Sequence, residues 1–257
     1  PPPPPTPRDS IRRQRQMCIR DSFHPVDVPV LGHVGVTARE LRAELADVEI
    51  DCHDHRAEVA ERWAIWRAEK SSRRADDHGE GLNASVVFAE LGDCIPDDSV
   101  ICVDVGNNTY SFGRYFEVVD HSVLMSGYLG SIGFGLPAAM GAWAAVGAER
   151  TVVSISGDGG LGQYAMEFTT AVKYGMNITH VVLDNSELGK ISKEQRSAEL
   201  DVWQTSLRNP SFAAFAELCG GQGIRVTDRS QLADAFAAAI AHDGPSMIEI
   251  VTDPLLV

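Results

Sequence analysis

Residues 151–185 read TVVSISGDGGLGQYAMEFTTAVKYGMNITHVVLDN. The β-branched run 151–156 predicts a strand, 161–174 a helix, and 178–184 (ITHVVLD) a second strand. A strand, a helix and a strand in that order make a parallel βαβ unit, and strands apolar on both faces belong to a sheet covered on both sides. In such a sheet ligands sit beyond the carboxyl ends of the strands. That is where this segment places Gly157-Asp158-Gly159-Gly160 and Asp184-Asn185. Glycines let backbone N–H groups approach an anion, and a helix N-terminus adds a field of roughly 0.3–1 kcal/mol. An aspartate at that point would repel a bare phosphate. A divalent cation between carboxylate and phosphate removes the conflict, and hard oxygen ligands suit Mg2+. Asn185, 27 residues beyond Asp158, supplies a second oxygen ligand that one crossover returns to the neighbouring strand end. Either turn alone is weak, because GDG is a common simple turn; together at this spacing they are specific.

The same alternation extends in both directions. Residues 83–91 predict an amphipathic helix and 99–103 a short strand ending in the loop DVGNN, 104–108. Residues 133–147 are small and apolar throughout, which predicts a helix buried on every side. Beyond 185 follow a polar stretch, helix 212–218, strand 223–226, helix 231–241 and strand 246–251. The fold class is therefore α/β, a doubly wound, mostly parallel sheet with helices on both faces. No internal repeat is visible.

The chain of 257 residues carries 22 Lys+Arg against 36 Asp+Glu, a formal charge of −14. An acidic surface cannot displace the counterions of nucleic acid, so no nucleic-acid partner is expected. No apolar run reaches the roughly 18–20 residues that span a bilayer, so a transmembrane chain is not expected. Cys18, Cys52, Cys94, Cys102 and Cys219 are scattered and form no CxxC pair, which predicts reduced thiols and a cytoplasmic location.

With these segments in place, the chain from about residue 24 to 251 resembles the thiamine-diphosphate (ThDP) enzyme family, in its C-terminal diphosphate-binding domain. Within that family it is most similar to the pyruvate oxidase and acetolactate synthase group. The resemblance implies that Asp158, the Asn185 side chain and the Glu187 carbonyl hold Mg2+ against the diphosphate, with Gly159 and Gly160 donating from the backbone. Asp184 stands where the family usually has Asn. The segment SGYLGSIGFGLPAAMGA, 126–142, resembles the element that bends the cofactor, with Ile132 as the supporting aliphatic residue and the Gly130 carbonyl as an acceptor. Gly106 and Asn107 match a further diphosphate-side loop, and Gly157, Leu188 and Gly189 complete the expected cofactor contacts. The run Lys190-Ile191-Ser192-Lys193-Glu194-Gln195 resembles a pyruvate oxidase segment in which Ile191 and Glu194 face the substrate. Lys190 departs from the usual aromatic residue, and a solvated charged helix face is the alternative reading of the run.

The resemblance implies decarboxylation of a small 2-oxo acid such as pyruvate, followed by oxidation, which would need FAD bound mainly outside this segment. The alternatives are a carboligase of the acetolactate synthase kind and, from another class, a non-catalytic nucleotide-binding module. It also implies a homodimer or homotetramer, in which a partner subunit's N-terminal pyrimidine-binding domain brings the activating glutamate; no residue here matches that motif. Residues 23–49 are read as the end of a truncated central domain, 50–80 as a linker helix docked through Trp63 and Trp66, and 81–257 as the diphosphate-binding domain. A helix is expected from Thr37, capped with Glu40. The CHDH run, 52–55, is read as a solvated polar face. Residues 1–22 hold six of the 13 prolines and a local charge of +3. Their run RRQRQMCIRDS resembles translated sequencing-adapter sequence, so they are expected to be a disordered, non-native tail.

Overall fold

A computed structural model describes residues 28, 30–49, 53–127 and 129–255. The expected tail, Cys18 and Cys52 lie outside them. The chain divides into two compact units, Pro1–Ala57 and Glu58–Val257. In the first, helix α1 (Val34–Glu44) buries none of its residues. It starts three residues before the expected Thr37 because the His33 carbonyl accepts from both Val36 and Thr37 (2.9 Å each), and no capping box forms. Helix α2 (Arg56–Arg73) begins where that unit ends.

Within the second unit α2 is held by Lys70, its one buried residue, which donates to Glu117 (2.5 Å) and to the Tyr115 carbonyl (3.3 Å). Trp63, expected to dock, is instead exposed with the Arg67 guanidinium over its ring; Trp66 is half-buried. Helix α3 (Ala84–Cys94) follows, capped by Asn83 accepting from Ser85 N–H. Then come β1 (Val100–Val103), α4 (Asn107–Tyr115), β2 (Ser122–Met125), α5 (Gly135–Val146), β3 (Val152–Gly157), α6 (Asp158–Tyr164) and α7 (Phe168–Lys173). The unit ends with β4 (Ile178–Asp184), α8 (Gly189–Ser197), α9 (Phe212–Leu218), β5 (Gln222–Val226), α10 (Leu232–Ile240) and β6 (Ser246–Val251).

All six strands pair in parallel in the order β2-β1-β3-β4-β6-β5. Strand period two sorts the core onto two faces. On one, Ile101, Val103, Val153, Ile155 and Val181 pack with Phe88 of α3, Phe112 of α4 and Phe236 of α10. On the other, Val100, Cys102, Val152 and Ile178 meet Ala139 and Ala142 of α5, while Val182 and Met247 meet Phe168 of α7 and Phe212 of α9. The sheet is doubly wound. Among the described residues no helix is long and apolar enough to cross a membrane.

Three local differences from the sequence expectation have physical causes. The expected helix 161–174 is broken: Tyr164 sits at φ −136°, ψ 23°, outside helical space, and a 3-10 turn, Ala165–Glu167, separates α6 from α7. Helix α5 is not buried all round; Gly135, Leu136, Ala139 and Ala142 form a stripe against the sheet, and Pro137, Gly141, Ala144 and Ala145 are exposed. Uniform small apolar residues hide which face packs. The DVGNN stretch is a loop only to Gly106, since α4 starts at Asn107.

Candidate functional site: a cavity at the carboxyl ends of three strands

Register places Val103 beside Ile155 and Gly157 beside Leu183, so the carboxyl ends of β1, β3 and β4 lie side by side at the same edge of the sheet, within three residues of one level. Beyond them lies a cavity of about 350 Å³. Its lining includes Gly106, Asn107, Gly130, Ile132, Gly157, Asp158, Gly159, Gly160, Asn185, Glu187, Leu188, Gly189 and Ile191. These residues come from four separate stretches of sequence and converge on one space. Glu194 is not among the lining residues. It lies on the exposed side of α8 with its carboxylate 2.6 Å from Lys190, one helical turn away, so the solvated-face reading of that run describes it. The ion pair forms because residues four apart on a helix are neighbours.

The walls are set by Asp104, at the end of β1. Its side chain is buried, and Oδ1 accepts from the N–H groups of Val105 (2.6 Å), Gly133 (2.8 Å) and Phe134 (3.1 Å). Its carbonyl accepts from Asn108 Nδ2 (2.8 Å) and from the Thr109 hydroxyl. One residue therefore ties the 105–106 loop and the first turn of α4 to the turn that carries Gly130 and Ile132. Gly106, at φ 142° and ψ −160°, takes a conformation open essentially only to glycine. Asn107 Nδ2 is buried and has no hydrogen-bond partner, a donor left facing the cavity lining.

Across the cavity Asp158 is buried at the end of β3, with Oδ1 accepting from Gly159 N–H (2.9 Å) and Oδ2 from Asn209 Nδ2 (2.7 Å). Burial, reinforced by the neighbouring Asp184 carboxylate, pushes its carboxyl up to about 6. Asp184, also buried, accepts from the same Asn209 amide (2.8 Å) and from Ser186 N–H (3.2 Å). Asn185 turns the chain, its Oδ1 accepting from Glu187 N–H (3.1 Å). The Glu187 carboxylate pairs with Arg196 (3.3 Å). Asn209 and Asp104 carry much of this architecture, and sequence reasoning singled out neither.

These groups fit a hydrated divalent cation and an anion bound together. Among the described residues no ion pair engages Asp158 or Asp184; Lys190, which also lines the cavity, pairs with Glu194 instead. No cluster of three or more His, Cys, Asp or Glu that could hold a metal occurs there either. A cation at this wall would draw on one carboxylate, an amide oxygen, a main-chain carbonyl and the oxygens of the anion itself. That oxygen-only set matches Mg2+, which is bound by few carboxylates plus phosphate oxygens.

A parallel, doubly wound α/β sheet with a glycine-lined, acid-marked cavity at its strand ends defines the class, a ligand-binding α/β domain. The family model described as thiamine pyrophosphate enzyme, C-terminal TPP binding domain, matches residues 104–250, and the chain belongs to this family. A Bacillus subtilis protein, YdaP, whose name describes it as thiamine pyrophosphate-containing, is 37% identical over 171 residues, covering 66% of this chain and 30% of that protein. Acetolactate synthase isozyme 2 large subunit of Escherichia coli is 31% identical over 190 residues, covering 73% and 34%. Among solved structures, the thiamine diphosphate-dependent 4-hydroxybenzoylformate decarboxylase of Rhodococcus jostii superposes with a TM-score of 0.65 at 26% identity, covering 70% of this chain and 34% of that one. The chain spans about a third of the length of these relatives.

Proposed function

We propose that the chain supplies the diphosphate- and Mg2+-holding part of a ThDP-dependent enzyme that decarboxylates a 2-oxo acid, pyruvate being the simplest, and joins the product to a second carbonyl compound. The observation that carries this reading is the convergence of Asp158, Asn185, Gly106, Gly130 and Ile132 on one cavity in a chain of this family. Bound ThDP would supply the carbon nucleophile and the electron sink for loss of CO2. The chain's own residues bind and orient. Asp158, the Asn185 amide oxygen and the Glu187 carbonyl would hold Mg2+; Asn107 Nδ2 and the backbone of Gly159 and Gly160 would meet diphosphate oxygens. Ile132 and Leu188 give the cavity apolar walls that exclude water from the reacting end.

Carboligation is preferred to oxidation on two grounds. Relatives named acetolactate synthase recur among the curated matches. The oxidase expectation rested on Glu194 facing substrate, whereas its carboxylate pairs with Lys190 on an exposed helix face. Within the full-length assembly a partner subunit would complete the site over the exposed side of Ile132, with residues 23–49 the end of a central domain and 50–80 the linker.

The deciding experiment measures ThDP binding by the chain as Mg2+ is varied. Asp158→Ala is expected to abolish the metal-dependent component, and Asn185→Ala to weaken it by about 10–100-fold. Unchanged affinity in both variants would sink the assignment. Acetolactate formation from pyruvate by the full-length protein, against reduction of an added electron acceptor, then separates carboligase from oxidase.

A further inference from the structure

We infer that Asn209 is a positioning residue for the metal site, holding the Asp158 carboxylate in place by screening it from Asp184; this rests on the assignment of Asp158 to the metal. The amide Nδ2 has two hydrogens, and each is spent on a different carboxylate: Asp158 Oδ2 at 2.7 Å and Asp184 Oδ1 at 2.8 Å. The acids come from the ends of β3 and β4, adjacent parallel strands, so the fold itself forces the two negative charges together. Both are buried, and like charges out of water repel strongly. Nothing cationic intervenes among the described residues. A single neutral amide, shared between the two, satisfies both.

The sharing also fixes a direction. With Oδ2 on Asn209 and Oδ1 on Gly159 N–H, the Asp158 carboxylate cannot rotate, and its remaining lone pairs keep one orientation in the cavity wall. Asn209 is itself held from both sides. Leu207 N–H donates to the Ser186 carbonyl and Leu188 N–H to the Thr205 carbonyl, both at 2.7 Å. On the other side Ser211 caps α9 and donates to Glu249 (3.0 Å). The residue thus sits between two anchors four positions apart, presented by backbone that cannot easily withdraw. A partner that orients a metal ligand, without touching the metal, typically sets affinity by about 10–100-fold.

The test is a double-mutant cycle read as the Mg2+ concentration giving half-maximal ThDP binding to the full chain, with melting of the ligand-free chain as the control for folding. Asn209→Ala should raise that concentration by about 10–100-fold. Asn209→Ser, which keeps one donor for two acceptors, should fall between, and serves if the alanine variant does not fold. The sign particular to this inference is rescue. In an Asp184→Asn background, where the second charge is gone, Asn209→Ala should cost at most about threefold, because coupled residues are non-additive. A loss of the same size in both backgrounds, or a change within about twofold in the alanine and serine variants, overturns it. The metal assignment fails separately, if Asp158→Ala keeps full Mg2+-dependent binding.

Discussion

A methyl group on Gly160 would lie 2.6 Å from Asp104 Oδ2 and 3.1 Å from its Cγ. Asp104 cannot retreat, because three backbone N–H groups hold its other oxygen. Gly160→Ala is therefore expected to destabilise the chain by about 1–3 kcal/mol, seen as a lower urea midpoint without any ligand. Gly159 offers a contrast: its added methyl would meet Leu188 Cδ2 at 2.7 Å, the free end of a side chain that can turn aside. Gly159→Ala should leave the urea midpoint nearly unchanged while weakening ThDP binding, since Leu188 would move into the cavity it lines. Two glycines adjacent in the motif thus have different reasons. Equal loss of stability in both variants would refute the distinction. Their positions, with those of Asp158 and Asn185, were legible because strand ends in a doubly wound sheet are marked by the sequence itself. Asn209 was not legible: its partners lie 51 and 25 residues away, and only folding brings the amide to them. Asp104 stood inside a quoted loop, yet its three hydrogen bonds depend on a turn 29 residues later.

At the scale of elements, β5 and α9 meet through backbone. A Cβ on Gly223 would fall 1.9 Å from the Ala213 carbonyl oxygen and 2.6 Å from its carbon, neither of which can swing away. Gly223→Ala must push α9 off β5, and a loss at or above about 3 kcal/mol is expected in equilibrium urea unfolding. A loss under about 1 kcal/mol would mean the helix has room to shift. Glycine within a strand is a signal of such close approach; β5 is an edge strand carrying the exposed Arg225, and it was legible through β-branched Ile224 and Val226 between turn residues. The edge strand β2, Ser122–Met125, escaped: it is four residues long, and its residues are half-buried or exposed. Helix α4 escaped because it starts inside a motif that looked like a loop. The break between α6 and α7 left no mark either, as both pieces keep apolar residues on the sheet side.

For the molecule as a whole, the response to acid turns on a side chain remote from the cavity lining. His180 sits in the middle of β4, fully buried, with neither ring nitrogen hydrogen-bonded; burial pulls its pKa from 6.5 down to about 3. Below pH 6.5 the unfolded chain takes up a proton there that the folded chain refuses. The associated stability is present above 6.5 and is lost as pH falls toward 3, at about 1.4 kcal/mol per pH unit. Asp158 works in the opposite sense in the ligand-free chain. Its pKa is raised from 3.8 to about 6, so between those values the folded state binds the extra proton and acid favours folding. The two slopes offset each other, and the parent protein should show a muted dependence between pH 6 and 4. His180→Leu separates them. No hydrogen bond is lost in that replacement, and an apolar side chain of similar size removes an unsatisfied buried group worth about 1–3 kcal/mol. The variant should be no less stable than the parent at pH 7. Its advantage should then widen by about 2 kcal/mol by pH 5 in urea unfolding measured at both values. An advantage that stays constant between the two would show that His180 is protonated or hydrated in the folded chain, and the account of its burial would fail.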